Sequence, residues 1–210
     1  MADMVLVLTA LSFEAAAWRG IPGRGEAWCV AVTGMGPERA RRAAAAWLEK
    51  IRPHLVIGAG VCGGLLPGDR AGCVVMPDEF AADAPGQPVL RRTWQPKALD
   101  DWRGGTLPVV TSGRMVSVER PARTPEEKTA LAVRHRARWV DQETYAWCQA
   151  ALEAGIPFFC LRVVLDAAEE YLPDWRNGRS WRSAVRLPAR ALAARRALAE
   201  AGRRLLCAHL

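Results

Sequence analysis

Trp139 to Pro173 reads WVDQETYAWCQAALEAGIPFFCLRVVLDAAEEYLP, and this stretch decides how the rest of the chain is understood. A short apolar approach ends in an acidic cluster, Asp141-Gln142-Glu143. Thr144 to Ala154 then places Ala146, Trp147, Ala150, Ala151 and Ala154 on one stripe at helical spacing. Gly155 stops this helix, Pro157 starts a new segment, and Phe158 to Leu165 is a nearly continuous apolar strand carrying one charge, Arg162, before Asp166. Such a strand between helices is buried on both faces, where an unpaired charge is costly. Glu143 and Asp166 therefore stand at the ends of core elements, where ligands of open α/β sheets collect.

Outward from that stretch, strands and helices alternate. Apolar strands are expected at 5–8, 27–33, 55–59, 73–76, 107–111 and 138–140. Helices are expected from Ser12 to Trp18, Glu38 to Lys50, Pro125 to His135 and Pro188 to Cys207. Pro37 and Pro125 occupy favoured first-turn positions, and Glu126 and Glu127 sit at the positive end of their helix dipole. Residues 81–105, rich in Pro, Gly and Asp, read as a long irregular excursion. The alternation argues for a mainly parallel or mixed sheet covered by helices.

The chain has 210 residues, enough for one sizeable α/β domain, and half are hydrophobic. Its six cysteines form no CxxC pair and read as free thiols of a reducing cytoplasm, with no metal site expected. No basic stretch precedes the first apolar run, so no signal peptide is expected, and no run approaches membrane-spanning length. Charge is uneven. Residues 176–210 carry nine arginines and one acid, a net +8; against +7 for the whole chain this leaves about −1 for residues 1–175. The sequence thus divides into a near-neutral body, 1–175, and a basic helical segment, 176–210, packed on the same domain. The basic segment is either a solvated arginine-rich face or a surface for an anionic partner such as a membrane. Nucleic acid is disfavoured, because the basic residues are confined to this tail and no nucleic-acid module is present.

Gly58, Gly60 and Gly63 match GxGxxG after a strand, but they do not make a dinucleotide fingerprint. The fingerprint must open a crossover helix, and only nine residues, Gly64 to Gly72, separate it from the strand at Cys73. The glycines instead read as a loop making a close backbone approach to a ligand or a neighbouring chain, or as a tight turn.

Four motifs in order resemble the purine nucleoside phosphorylase and nucleosidase superfamily. Ala10 to Glu14 looks like a first-strand turn carrying a glutamate. Gly60-Val61-Cys62-Gly63-Gly64, followed by Pro67-Gly68-Asp69 and the strand Val74 to Pro77, looks like the glycine segment. Val140-Asp141-Gln142-Glu143 looks like the valine-acid-methionine-glutamate segment, and Pro157 to Asp166 like the strand ending in the catalytic aspartate. The match is to the 5′-methylthioadenosine/S-adenosylhomocysteine nucleosidase branch. Arg162 to Asp166 followed by Leu172-Pro173, and the Ala/Arg/Leu helix Pro188 to Leu206, also resemble the hopanoid-associated branch, whose members are associated with removing adenine from adenosylhopane.

The resemblance implies a single-domain α/β fold with a twisted mixed central sheet flanked by helices, and cleavage of a purine N-glycosidic bond. Asp166 would protonate the leaving base, Glu143 would bind the ribose hydroxyls and Glu14 would orient the attacking water. Gln142, Gly60, Val61, Cys62, Gly63 and Val116 would line the substrate, Arg162 would partner a buried acid, and Arg39 and Arg114 are the candidates for binding phosphate. No cofactor is implied, with phosphate left open as a co-substrate. The partners implied are a nucleoside, a second copy of the chain in a homodimer, and a membrane surface touched through the basic helix of a cytoplasmic protein. Gln142 replaces a methionine and Leu165 a serine, which points away from the methylthio substrate and toward a different 5′ group. Two rival readings remain: a nucleoside- or base-binding protein of little activity on the same fold, and a nucleic-acid-binding protein using the basic tail.

Overall fold

A computed structural model describes residues 4–96, 107–172 and 181–207, with the side chains of 181–186 aside. The later part of the excursion expected over 81–105, and the boundary near residue 175, lie outside the described residues. A ten-stranded mixed sheet is built around two long parallel strands, β3 (Leu55–Gly64) and β10 (Phe158–Asp166). β1 (Val5–Thr9) lies parallel to the first half of β3, with β2 (Trp28–Val32) outside it. β4 (Val74–Val75) runs antiparallel to β10 on the other side.

The continuous apolar runs are explained by cover on both faces. Leu6, Leu8, Val56, Phe158, Cys160 and Val164 point toward α2 (Pro37–Ile51) and α4 (Thr144–Glu153). The alternate residues, Val5, Val7, Ile57, Phe159, Leu161 and Val163, meet α5 (Trp181–Cys207). α5 buries Ala194, Ala197, Leu198, Ala201, Leu205 and Leu206 there, while Arg195, Arg196 and Arg203 face outward. This helix begins before the expected start, since Pro188 lies inside it.

The partner of β3 on one edge changes halfway along. Leu55 to Gly58 pair with β1, whereas Gly63 and Gly64 pair antiparallel with β9 (Trp139–Asp141). The interval between β1 and β9 is a topological switch of the kind that opens a crevice. β9 is joined by β8 (Arg114–Ser117) and then β5 (Glu79–Ala82), and β6 (Leu90–Arg91), antiparallel to β5, places a strand inside the expected excursion.

One expectation is corrected. The glycine segment is not a loop: residues 55–64 form one strand, paired with β10 along its length. The glycines serve close approach by the protein's own side chains. A Cβ on Gly58 would lie 2.9 Å from both Phe158 and Trp147, and one on Gly64 would lie 2.7 Å from Asp69 Cβ.

Candidate active site

The crevice beside β3 holds a cavity of about 160 Å³. Four carboxylates line it: Glu14, Asp141, Glu143 and Asp166. Each is placed by a different local device.

Glu14 sits in α1 (Ser12–Ala15), the short turn that follows β1, and is 1% exposed. Its Oε2 accepts from the backbone N–H of Ala10 (3.0 Å) and Leu11 (2.9 Å), and its Oε1 accepts from Val61 N–H (2.9 Å). Val61 lies in the interval where β3 has lost β1 and not yet met β9, so its amide is available to a side chain. Gly60 makes room for this: a Cβ there would lie 2.5 Å from Glu14 Oε1 and 2.6 Å from Arg162 Nη1. Burial raises the pKa of Glu14, while Arg162 and the three amides pull it down.

Glu143 stands at the N-cap position of α4, yet its side chain does not cap the helix. Asp141 Oδ2 accepts from Thr144 N–H at 2.9 Å and Ser117 Oγ accepts from Tyr145 N–H at 2.9 Å, satisfying the helix amides that would otherwise want a cap. Glu143 is thereby released toward the cavity, where its Oε1 accepts from Gly36 N–H at 3.0 Å. Its pKa is raised to about 7, first by burial and then by the neighbouring Asp141.

Asp141 is the acid that Arg162 requires. Arg162 is fully buried on the α4 face of β10 and donates through Nη2 to Asp141 Oδ2 and through Nε to Thr144 Oγ1 (3.1 Å). Its guanidinium carbon also lies 4.8 Å from the Trp147 ring centroid. This pair sits behind Glu14 and Glu143 and provides the positive charge that both carboxylates feel.

Asp166 closes the other end of the cavity. The β10–β3 register shifts between Val164 and Asp166, which pair with the consecutive residues Cys62 and Gly63. Leu165 is thus an extra residue in the strand, and such a bulge re-aims the side chain that follows it. Lys128, from α3 (Pro125–His135), donates to Asp166 Oδ2 at 2.5 Å. Burial raises the Asp166 pKa, and Lys128 opposes that rise. Gly63, beside Asp166, is two residues along β3 from Val61, beside Glu14. The positions on β3 beside which the two carboxylates lie are therefore about 7 Å apart along the strand.

The structure brings Glu14, Val61, Cys62, Gly63, Gln142, Glu143 and Asp166 together around this cavity, with Gly60 and Arg162 behind it. Gln142 is tethered away from the base of the site, its Nε2 donating to Glu119 O at 2.8 Å. Three expected residues are elsewhere. Val116 is buried in a separate cluster with Leu65, Ala81 and Leu131, because its strand β8 lies beyond β9. Arg39 is exposed on α2. Arg114 is spent on Glu79, through Nε at 2.9 Å and Nη2 at 2.7 Å, and on His135 O at 2.8 Å. Neither arginine lines the cavity.

Sequence reasoning missed Asp141 and Lys128 as parts of the site. The first had a signal, since Arg162 in an apolar strand demands an acid. The second had none: Lys128 reads as a solvated lysine among Glu126, Glu127 and Thr129.

Residues 18–197 match the sequence model of the phosphorylase superfamily. The chain is 32% identical over 207 residues to the futalosine hydrolase of Thermus thermophilus, covering 90% of this chain and 88% of that one. Solved structures share the fold. The nucleosidase of Helicobacter pylori holding 5′-methylthioadenosine in its active site superposes with a TM-score of 0.80 at 14% identity, covering 99% of each chain. The futalosine hydrolase of the same organism superposes with a TM-score of 0.77 at 14% identity, covering 99% of this chain and 98% of that one. With a family model that takes in Asp141, Glu143 and Asp166 and a relative matched over nine-tenths of its length, the chain belongs to the phosphorylase superfamily, as an enzyme of the nucleosidase kind that acts on N-glycosidic bonds.

Proposed function

We propose that the protein hydrolyses the N-glycosidic bond of a purine nucleoside carrying a substituent at the 5′ position, releasing the free base. The observation that carries this reading is the charge of the cavity wall: its described lining residues include four carboxylates and no arginine or lysine. A phosphate nucleophile needs convergent cations or amides, and the side chains of the described lining offer no cation. Water suits the site, and so does the cationic sugar that forms as the bond breaks.

The division of labour follows from the environments. Asp166, buried at a strand end with a raised pKa, donates a proton to the departing base. Glu143 accepts hydrogen bonds from the ribose hydroxyls, and in its ionised form it stabilises positive charge on the sugar. Glu14 is held rigidly by three amides; it orients and deprotonates the water. Met35, Val118, Pro121, Ala122, Leu165 and Leu172 give the cavity an apolar lining, which supports an apolar or extended 5′ group. Futalosine, 5′-methylthioadenosine and adenosylhopane are the substrates to compare. A lipid-borne substrate would also give the outward arginines of α5 a headgroup to meet.

Base release from these three nucleosides, followed by chromatography with and without added phosphate, tests the reading. The expected result is cleavage of at least one, at a rate independent of phosphate, giving the free sugar, with Asp166→Asn reduced by about 10²-fold or more. Release of no base from any of them by the folded wild type, or a rate that requires phosphate, would overturn it.

A further inference from the structure

Among the described residues Lys128 is the one lysine buried against the cavity wall, at 0% exposure, and its surroundings are those of a device rather than of a solvated helix residue. It enters from the start of α3, where a capping box fixes the first turn: Thr124 Oγ1 accepts from Glu127 N–H at 3.2 Å, and Glu127 Oε2 accepts from Thr124 N–H at 3.3 Å. Its ammonium has three protons to donate, and three acceptors receive them: Asp166 Oδ2 (2.5 Å), Ala167 O (2.6 Å) and Glu170 O (2.8 Å). All three of its donors are thereby used.

The consequence falls on Asp166. Among the described residues, Lys128 is the hydrogen-bond partner of its carboxylate, and it takes Oδ2 alone. A proton cannot sit on Oδ2 facing an ammonium N–H. It must therefore reside on Oδ1, leaving Oδ2 as the carbonyl oxygen that accepts from Lys128. We propose that Lys128 is a positioning residue for glycosidic-bond cleavage: it holds Asp166 by Oδ2 so that Oδ1 carries the transferable proton into the cavity. In the step itself the proton leaves Oδ1 for a ring nitrogen of the base. The electron pair of the breaking C–N bond stays with the base, and Asp166 becomes a carboxylate that the cation of Lys128 stabilises. The lysine thus offsets the cost of a buried anion at the moment it forms, while restricting the pH range over which Asp166 holds its proton.

Other charges face the same carboxylate. Glu170, on the turn after β10, and Arg190, on α5, act on it from one side, and the thiol of Cys62 on β3 from the other. Glu170 is itself committed, its Oε2 accepting from Ala167 N–H at 3.0 Å and its carboxylate taking both terminal nitrogens of Arg190 at 2.5 Å. That leaves Lys128 as the charge in direct contact with Asp166.

This inference rests on the proposed nucleosidase activity, and the test separates the two. kcat/KM is measured against pH for 5′-methylthioadenosine, futalosine and adenosylhopane with wild type, Lys128→Met, Lys128→Gln and Lys128→Arg, each checked for folding by circular dichroism. Removing the cation should move the alkaline limb of the profile upward by about one pH unit or more in the Met and Gln variants. Their plateau kcat should fall about tenfold or more, with KM nearly unchanged. Lys128→Arg, which keeps a cation, should leave the limb near its wild-type position. A merely structural lysine would lower the plateau without moving the limb. An unmoved limb in either neutral variant that folds overturns the role of Lys128 while leaving the nucleosidase intact. No cleavage by wild type overturns the nucleosidase reading, and the role of Lys128 with it.

Discussion

Replacing Glu143 with glutamine should make the protein more stable at alkaline pH while abolishing turnover. Glu143 ionises near pH 7 in the folded state against 4.5 ordinarily, because it is buried and stands beside Asp141. Between those two values the folded chain binds more protons than the unfolded one, so stability falls as pH rises. This contribution is fully present below about pH 4.5 and is lost as pH climbs through about 7. Integrated from pH 5 to pH 8, the loss is about 2–3 kcal/mol for one such group. Glu143→Gln keeps an oxygen to accept from Gly36 N–H and has no charge to desolvate, so it escapes this loss. Glu14 and Asp166, also raised by burial, titrate in both proteins and largely cancel. Thermal melts of wild type and variant at pH 5 and pH 8 read the effect directly. The gap between their Tm values should widen by about 5–10 °C toward pH 8, given about 2–4 °C per kcal/mol for a domain of this size. An equal gap at both pH values, or a variant less stable at pH 8, would refute the assignment of Glu143 as the site's high-pKa acid.

Four further outcomes follow from the same geometry. Gly60→Ala would push a methyl into the space between Glu14 Oε1 and Arg162 Nη1, and should cost about 1–3 kcal/mol in denaturant melts and most of the activity. Gly20→Ala, with no atom within 4 Å of the new carbon, should cost neither. Asp141→Asn strands the fully buried Arg162 without its acid and should destabilise the fold by about 3–5 kcal/mol, seen as a lower urea midpoint at unchanged slope. Arg190→Ala frees the Glu170 carboxylate on the turn after Asp166. It should lower kcat several-fold while leaving the global melt within about 1 kcal/mol, because the ion pair is partly exposed.

Much of the site was legible in the residues because its parts stand at the ends of strongly patterned elements. Phe158 to Asp166 announces a buried strand with an acid at its end. Asp141 to Thr144 announces a helix start, and Ala10 to Glu14 a turn out of a strand. Val116 and Arg114 were misplaced for a different reason. Their strand carries no periodic signal long enough to show that β9 stands between it and the cavity.

By itself the sequence determined the alternation of strands and helices, the two-sided burial of β10, and the acids at Glu14, Glu143 and Asp166, because hydrophobic period and helix boundaries are local properties. Only the tertiary structure decided what those acids are paired with. The switch of β3 from β1 to β9 exposes the Val61 amide to Glu14, and the bulge at Leu165 turns Asp166 into the cavity. Asp141 meets Arg162 from 21 residues away, and Lys128 meets Asp166 from 38. Such contacts are set by strand order and by the packing of helices across the sheet. Neither leaves a mark on neighbouring residues in the chain.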